Sequence, residues 1–215
     1  MLSQAFSASF RDDLHRLMRW RRDVRRFRSD PVPDQILARG LEAFAMAPSV
    51  GLSEPWRIVT VESAAARAAA LANFEAANAE ALATYQAHGE DNRAALYANL
   101  KLTGMREAPV QLAVFCDETS AKGAGLGART MPEMRAYSVA SAISMMWLAL
   151  RSDGVGLGWV SIFDAPGLAR ALDVPDSWKL IGYLCIGWPE RISNTAELEE
   201  LGWEPRIGLP EMERR

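Results

Sequence analysis

The sequence predicts an α+β fold built as a single domain of 215 residues. Short apolar runs bounded by turn residues indicate about four or five strands. Longer segments with apolar residues three and four positions apart indicate about six or seven helices. The composition, 49% hydrophobic and 24% charged, is typical of a globular protein that buries a sizeable core, and it excludes wholesale disorder.

The N-terminal quarter predicts two helices, a loop and a strand. An amphipathic helix over residues 12–22 ends before two prolines, and a second helix over 34–45 follows Pro33, which suits a first helical turn. Proline and glycine then mark residues 47–56 as a loop. The alternating, β-branched segment 57–62 predicts the first strand.

The middle of the chain predicts an exposed helical excursion, a strand and a long buried helix. The excursion covers 63–104: an Ala-rich helix over 63–88, capped by Ser63, and a second helix over 92–104. A strand over 110–116 and a Gly-rich loop over 117–131 follow. The helix from Pro132 to about residue 153 is apolar on nearly every side, which predicts a central position. Its small side chains at three-residue steps, which would let another helix approach closely, are Ser138, Ser141 and Ser144.

Two strands and a polar tail complete the prediction. The strands lie at 157–163 and about 180–187, separated by a short helix near 167–172. The tail over 189–215 has too little apolar periodicity to form its own core, so we expect an extended arm.

Composition also excludes several functional classes. The formal net charge of −3 argues against nucleic-acid binding. Cys116 and Cys185 lie in apolar runs and predict buried strand thiols, and with two distant histidines they cannot form a zinc site. The longest uncharged apolar run, 137–150, is shorter than the roughly 20 residues of a membrane span. Without a secretory signal pattern in residues 1–13, we expect a cytoplasmic protein.

Six arginines fall within the ten residues 19–28 of this otherwise acidic chain. Such a density of like charge is costly unless an anion offsets it, and guanidinium groups bind phosphate in a bidentate manner. A solvated face paired with Asp12, Asp13 and Asp23 is the alternative. We favour a bound phosphate or similar anion near residues 21–25.

Other patterns are weaker. The glycine motifs at 123–128 and 154–158 are not placed between a strand and a following helix, so we interpret them as loops rather than dinucleotide sites. From the residues alone, Asp23 is an ion-pair partner, and Ser161 is a strand hydroxyl bonded to neighbouring backbone.

Three motifs in order carry a resemblance to a known family. They are Arg-Arg-Asp-Val-Arg at 21–25, Ala-Pro-Ser-Val-Gly at 47–51, followed by Glu-Pro-Trp at 54–56, and Gly-Leu-Gly-Trp-Val-Ser at 156–161. Together they resemble the flavin-dependent nitroreductase superfamily, and within it the branch that forms 5,6-dimethylbenzimidazole. The resemblance covers about residues 12–206. Two departures from the common nitroreductase loop are Leu52 in place of an asparagine and Glu54 in place of a glutamine.

The resemblance implies a nitroreductase-like central mixed sheet flanked by helices, in an intertwined homodimer with FMN at the interface. The excursion at 63–104 would be a lid, and the arm at 189–215 would be exchanged between subunits. Asp23 and Ser161 would be catalytic, the first moving protons and the second bonding the flavin. The residues implied in cofactor binding are Arg21, Arg22, Arg25, Ser49, Lys101, Leu102, Gly158, Trp159, Val160, Ser161 and Arg206; no metal is implied.

The activity implied is the O2-dependent fragmentation of reduced FMN to 5,6-dimethylbenzimidazole, the lower ligand of vitamin B12, and erythrose 4-phosphate. Reduced FMN would be both cofactor and substrate, O2 the co-substrate, and a flavin reductase a possible supplier of reduced FMN. Two alternatives stay open. One is a general FMN-dependent NAD(P)H nitroreductase or quinone reductase, and the other is a flavin-binding module without activity.

Overall fold

The computed structural model describes residues 5–89, 91–100 and 102–215. Within them the α+β prediction is confirmed, with seven α-helices and four strands. The strands are β1 (Trp56–Thr60), β2 (Val110–Asp117), β3 (Gly156–Val160) and β4 (Trp178–Gly187). The helices are α1 (Ala8–Trp20), α2 (Asp34–Ala45), α3 (Ala64–Ala87), α4 (Asp91–Asn99), α5 (Met134–Ser152), α6 (Ala165–Ala171) and α7 (Glu197–Glu200).

The four strands form one sheet in the order β1-β2-β4-β3, and every pair is antiparallel. The resemblance implies a mixed sheet, whereas the four described strands form an antiparallel one. Parallel pairing among the described residues is confined to a single bridge between Asp23 and Leu157. That bridge lies at the outer edge of β3, so the segment after α1 covers an edge that would otherwise expose its backbone groups.

Side chains alternate between the two faces of the sheet, and each face carries one apolar cluster. On one face, α2 and α5 pack over β2 and β4, and Ile143, Met146 and Leu150 of α5 are fully buried. On the other face, Phe27, Phe115 and the residues of α3 and α6 surround Tyr183. The central position predicted for the long helix is thus correct on its sheet side.

One side of α5 differs from the prediction of burial all round. Tyr137 is 55% exposed, and Ser141 and Ser144 are exposed as well. The three side chains recur at helical spacing and form a stripe on the face turned away from the sheet. This stripe remains uncovered in the single chain.

Capping explains where two helices begin. The hydroxyl of Ser63 accepts a hydrogen bond from the Ala66 backbone N–H at 3.1 Å, which confirms the predicted cap of α3. Ser7 caps α1 in the same way through Phe10, so α1 begins four residues before the predicted start. The second helix of the excursion, α4, ends at Asn99, before the predicted residue 104.

The predicted strand over 157–163 is shorter in the structure, where β3 ends at Val160. Ser161 is therefore wrongly placed by the prediction: it is exposed, one residue beyond the strand. In the described part of the chain, no helix has the length and apolar character needed to cross a membrane.

Candidate functional site

The arginine-rich segment lies directly against β3. The backbone N–H of Val24 donates to the Leu157 carbonyl at 3.1 Å, beside the bridge made by Asp23. A Cβ added at Gly158 would lie 2.1 Å from the Val24 carbonyl oxygen, and one at Gly156 would lie 2.7 Å from the Val24 side chain. The two glycines of the Gly-Leu-Gly motif are thus required by this close approach rather than by a phosphate loop.

The Asp23 carboxylate joins the segment to the strand. One oxygen accepts a hydrogen bond from the Trp159 backbone N–H at 2.9 Å, and the other accepts from Arg25 Nε at 2.8 Å. The Arg25 side chain is 11% exposed and that of Asp23 is 34% exposed. Asp23 is therefore an ion-pair partner, as the residues alone predict, and its carboxylate still faces solvent in part.

Three guanidinium groups lie close enough to affect one another. Burial lowers the pKa of Arg21 and of Arg22, and the positive charge of Arg206 lowers both further. The Arg21 guanidinium lies 4.5 Å from the centre of the Trp147 ring. We call Arg21, Arg22 and Arg206 the arginine cluster; it joins two distant parts of the sequence.

The bonds of Arg22 show how this cluster is held. One terminal nitrogen donates to the Arg21 carbonyl at 2.8 Å, and the other donates to the Asn194 carbonyl in the tail. Its Nε is buried and has no hydrogen-bond partner among the described residues. A buried guanidinium N–H is costly to leave unpaired, so the site fits an anion that would accept from it.

A cavity of about 260 Å³ lies between this segment and the tail. Its walls carry both the arginine-rich motif and hydroxyl groups of the tail. The polar residues that line it are Arg22, Asp23, Arg25, Arg26, Arg191, Ser193, Thr195, Glu197 and Glu200.

Ser49 belongs to a second set of contacts, in the loop before β1. Its hydroxyl accepts from the Glu54 backbone N–H at 3.1 Å, while the N–H of Val50 donates to Ser138 of α5 at 3.0 Å. The Glu54 carboxylate pairs with Lys122. The negative charge that departs from the common nitroreductase loop is therefore offset by a lysine.

The glycine-rich loop at 123–128 packs on the Ser49 loop, since a Cβ at Gly123 would lie 2.3 Å from the Gly51 carbonyl oxygen. This glycine therefore serves a close loop–loop contact. The loop leads from a short 3-10 turn toward α5 and does not connect a strand directly to a helix, so the structure agrees with its interpretation as a loop.

The remaining predicted residues differ in exposure. Gly158 and Val160 are buried, and the half-buried Trp159 donates from its ring to the Ile181 carbonyl at 3.2 Å. Leu102 packs against the apolar cluster around Phe27. Lys101 lies outside the described residues.

Sequence reasoning missed Trp147 and Asn194, because an apolar helix position and a tail asparagine carry no signal of contact with the arginine cluster.

With this geometry in place, comparison with known proteins is decisive for the family. The model of the nitroreductase family matches residues 18–188, most of the chain. The chain belongs to the nitroreductase family. Its arginine-rich segment, its glycine-containing edge strand and α5 all lie within the matched residues.

Within the nitroreductase family, similarity extends over nearly the whole chain to proteins named 5,6-dimethylbenzimidazole synthase. The protein from Rhodospirillum rubrum is 50% identical over 209 residues, 97% of each chain. One from Rhodobacter capsulatus is 45% identical over 210 residues, 98% of this chain and 99% of that protein. Among solved structures, an iodotyrosine deiodinase bound to FMN and 3-iodo-L-tyrosine has a TM-score of 0.65 at 21% identity, covering 94% and 97% of the two chains. That likeness shows the nitroreductase fold.

Proposed function

We propose that this chain is a 5,6-dimethylbenzimidazole synthase. It would use O2 to fragment reduced FMN into 5,6-dimethylbenzimidazole and erythrose 4-phosphate. The observation that carries the proposal is the 42–50% identity, over 97–98% of this chain, to proteins of that name. The Arg-Arg-Asp-Val-Arg motif and the Leu52 departure, which the resemblance links to this branch, also favour it.

FMN fits the arginine cluster. Its phosphate is a dianion with several acceptor oxygens, and the cluster offers three guanidinium groups with one buried, unpaired N–H on Arg22. The phosphate would offset the mutual repulsion of Arg21, Arg22 and Arg206. Arg25, paired with Asp23, would act next to the phosphate by fixing that carboxylate.

The flavin, when bound, supplies the electrons for oxygen reduction and the carbon skeleton of the product. Residues of this chain orient it and handle protons. Asp23 is fixed by Trp159 and Arg25, yet each carboxylate oxygen keeps a further lone pair for a sugar hydroxyl. The exposed Ser161 hydroxyl, just beyond β3, would donate to the flavin ring. Ser49, Lys101, Leu102 and the backbone of 158–160 would complete the binding surface.

The functional unit would be a homodimer in the cytoplasm, supplied with reduced FMN by a flavin reductase. Support for the dimer comes from the uncovered stripe on α5 and from the tail, where Ile207 and Leu209 are more than 90% exposed. Apolar side chains this exposed on one subunit indicate a partner surface.

A product assay tests the function directly. Purified protein is given reduced FMN and O2, and 5,6-dimethylbenzimidazole is measured by mass spectrometry. Its formation is expected, and anaerobic incubation should abolish it. Rapid NAD(P)H oxidation with a nitroaromatic or quinone acceptor and no such product would instead identify a general nitroreductase. That alternative rests on membership of the nitroreductase family and on 35% sequence identity to a protein from Bacillus subtilis named as a putative NAD(P)H nitroreductase. The aligned region is 63 residues, 29% of this chain.

Two substitutions test the catalytic residues. Asp23→Asn and Ser161→Ala should each lower the rate of product formation by about 100-fold or more, because a proton-transferring carboxylate and a hydrogen-bond donor to the reacting ring each contribute on that order. Asp30→Asn is a matched control, since Asp30 is exposed and pairs only with Arg28 among the described contacts. FMN binding retained without any dimethylbenzimidazole in wild type and variants alike would favour a flavin-binding module.

A further inference from the structure

Trp203 in the tail anchors on the helical excursion. Arg93 of α4 donates to the Trp203 carbonyl at 2.8 Å and to the Glu204 carboxylate at 3.0 Å, and its guanidinium lies 4.9 Å from the Trp203 ring centre. The Trp203 ring also lies 6.0 Å from the ring of Tyr85 in α3, edge to face, and 6.2 Å from that of Tyr97 in α4. One arginine thus binds backbone, side chain and ring of the same short stretch.

The excursion side of this contact is firmly held. Tyr97 is 7% exposed and donates to Asn78 of α3 at 2.8 Å, so α3 and α4 are joined beneath Trp203. Trp203 itself is only half-buried, and its backbone N–H donates to the Leu198 carbonyl at 2.8 Å. Tyr97 is therefore part of the packing of the excursion, whereas Trp203 is an added contact made by the tail.

Just beyond Trp203, the tail carries a member of the arginine cluster. Arg206 follows Trp203 by three residues, which is about 10 Å of extended chain at most. Further upstream, the same tail is held to the arginine-rich segment by the bond from Arg22 to Asn194 and by the ion pair of Arg26 with Glu197. Arg206 itself is exposed. A long exposed side chain has many conformations, so its place in the cluster depends on where the tail is fixed.

We propose that Trp203 and Arg93 are positioning residues that fix Arg206 at the phosphate end of the flavin site. Through these two residues, the position of the excursion at 63–104 is coupled to the binding of the phosphate by Arg206. The inference rests on the proposed function, because it needs a ligand with a terminal phosphate at the arginine cluster. Neither residue would touch the flavin; both would act through the position of Arg206.

The test compares two flavins that differ only in the phosphate. Affinities for oxidised FMN and for riboflavin are measured by flavin fluorescence. Trp203→Ala and Arg206→Ala should each weaken FMN binding about tenfold and leave riboflavin binding unchanged; a tenfold change is about 1.4 kcal/mol. Trp203→Phe keeps the aromatic contact and should restore most of the FMN affinity. Arg93→Lys keeps the positive charge but loses the pair of hydrogen bonds that the guanidinium donates. Its FMN affinity should lie between those of wild type and Trp203→Ala.

A double variant separates positioning from general loosening. Trp203→Ala combined with Arg206→Ala should bind FMN no more weakly than Arg206→Ala alone, because the first substitution acts through the second side chain. Arg106→Ala is the control, since Arg106 is exposed and pairs with Glu75 away from Trp203. Additive losses, equal losses for riboflavin, or an unchanged FMN affinity in Trp203→Ala would each overturn the inference. Wild type that fails to bind FMN, with Arg22→Ala no different, would instead overturn the proposed flavin site itself.

Discussion

Gly158 sets the distance between the arginine-rich segment and β3. A methyl group there would lie 2.1 Å from the backbone carbonyl of Val24, which cannot move as a flexible side chain can. Gly158→Ala should therefore destabilise the fold by about 1–3 kcal/mol and displace Asp23 from the Trp159 N–H. Urea denaturation and FMN titration measure the two effects.

The control for Gly158→Ala is Gly167→Ala in α6. There the added methyl group would meet the exposed Asp164 carboxylate, which can rotate away, and the side-chain amide of Asn73 at 3.1 Å, which needs to shift only slightly. Alanine also favours a helix. Its stability should stay within about 1 kcal/mol of wild type. Equal stability of the Gly158 and Gly167 variants would contradict the close approach described for β3.

The two cysteines should be unreactive in the native protein. Burial raises the pKa of Cys116 to about 11 and that of Cys185 to about 12. Because the thiolate is the reactive form, only about a thousandth or less of either thiol is ionised near pH 8. Iodoacetamide should label neither cysteine at that pH until guanidinium chloride unfolds the chain. Rapid labelling of native protein, read by mass spectrometry, would show that the β2 or β4 thiol is accessible.

The sequence could predict an anion site near residues 21–25, but not how the charges of this segment are paired. Six arginines within the ten residues 19–28 indicate an anion site. Only the structure shows that Arg25 pairs with Asp23, whereas Arg22 retains a buried unpaired N–H. The resemblance already implies Arg206 in cofactor binding, and the structure adds that its charge acts on Arg22. Tertiary contacts between residues 170 or more positions apart leave no local pattern.

Among the elements, the segment that follows α1 is anchored by the buried ring of Phe27. Phe27 is 2% exposed, pairs with Pro189 through a backbone bridge, and lies so near Gly104 that a Cβ there would come within 2.4 Å of its ring. Phe27→Ala should cost about 3–5 kcal/mol of stability, since it empties this space. Phe27→Leu, which refills most of the volume, should cost clearly less. Chemical denaturation compares them, and similar losses for the two would contradict the anchoring role.

The presence of each strand was predictable from local sequence patterns, whereas the residue at which a strand ends depends on its pairing with a neighbouring strand. The four strands lie where the apolar runs predict them because both faces of the sheet are buried. The run through residue 163 is apolar except at Ser161, yet β3 stops at Val160, the last residue that pairs with β4. Hydrogen bonding to a neighbour, rather than hydropathy, ends the strand.

The helix α5 has two apolar faces, one that packs on the sheet and one that faces outward, and the sequence alone could not tell them apart. Ile143 and Met146 face the sheet, while Tyr137 and Leu148 lie on the outer side with the small serines. A sequence apolar on every side predicts a buried helix but not which chain buries it. The outer stripe therefore carries the information about assembly.

A charge placed on that stripe should break the proposed homodimer. Ser141 is exposed, and its hydroxyl donates to the Tyr137 carbonyl within the same helix, so the single chain has room for a larger side chain there. Ser141→Arg should therefore leave the monomer folded but put an unpaired charge into a helix–helix contact between subunits, a cost of several kcal/mol. Light scattering after size exclusion should give the 23.7 kDa monomer for this variant and twice that mass for wild type. Ala171→Arg, at the exposed end of α6, should stay dimeric. A dimeric Ser141→Arg would place the subunit contact elsewhere, and the loss of FMN binding on dissociation would indicate that both subunits build the flavin site.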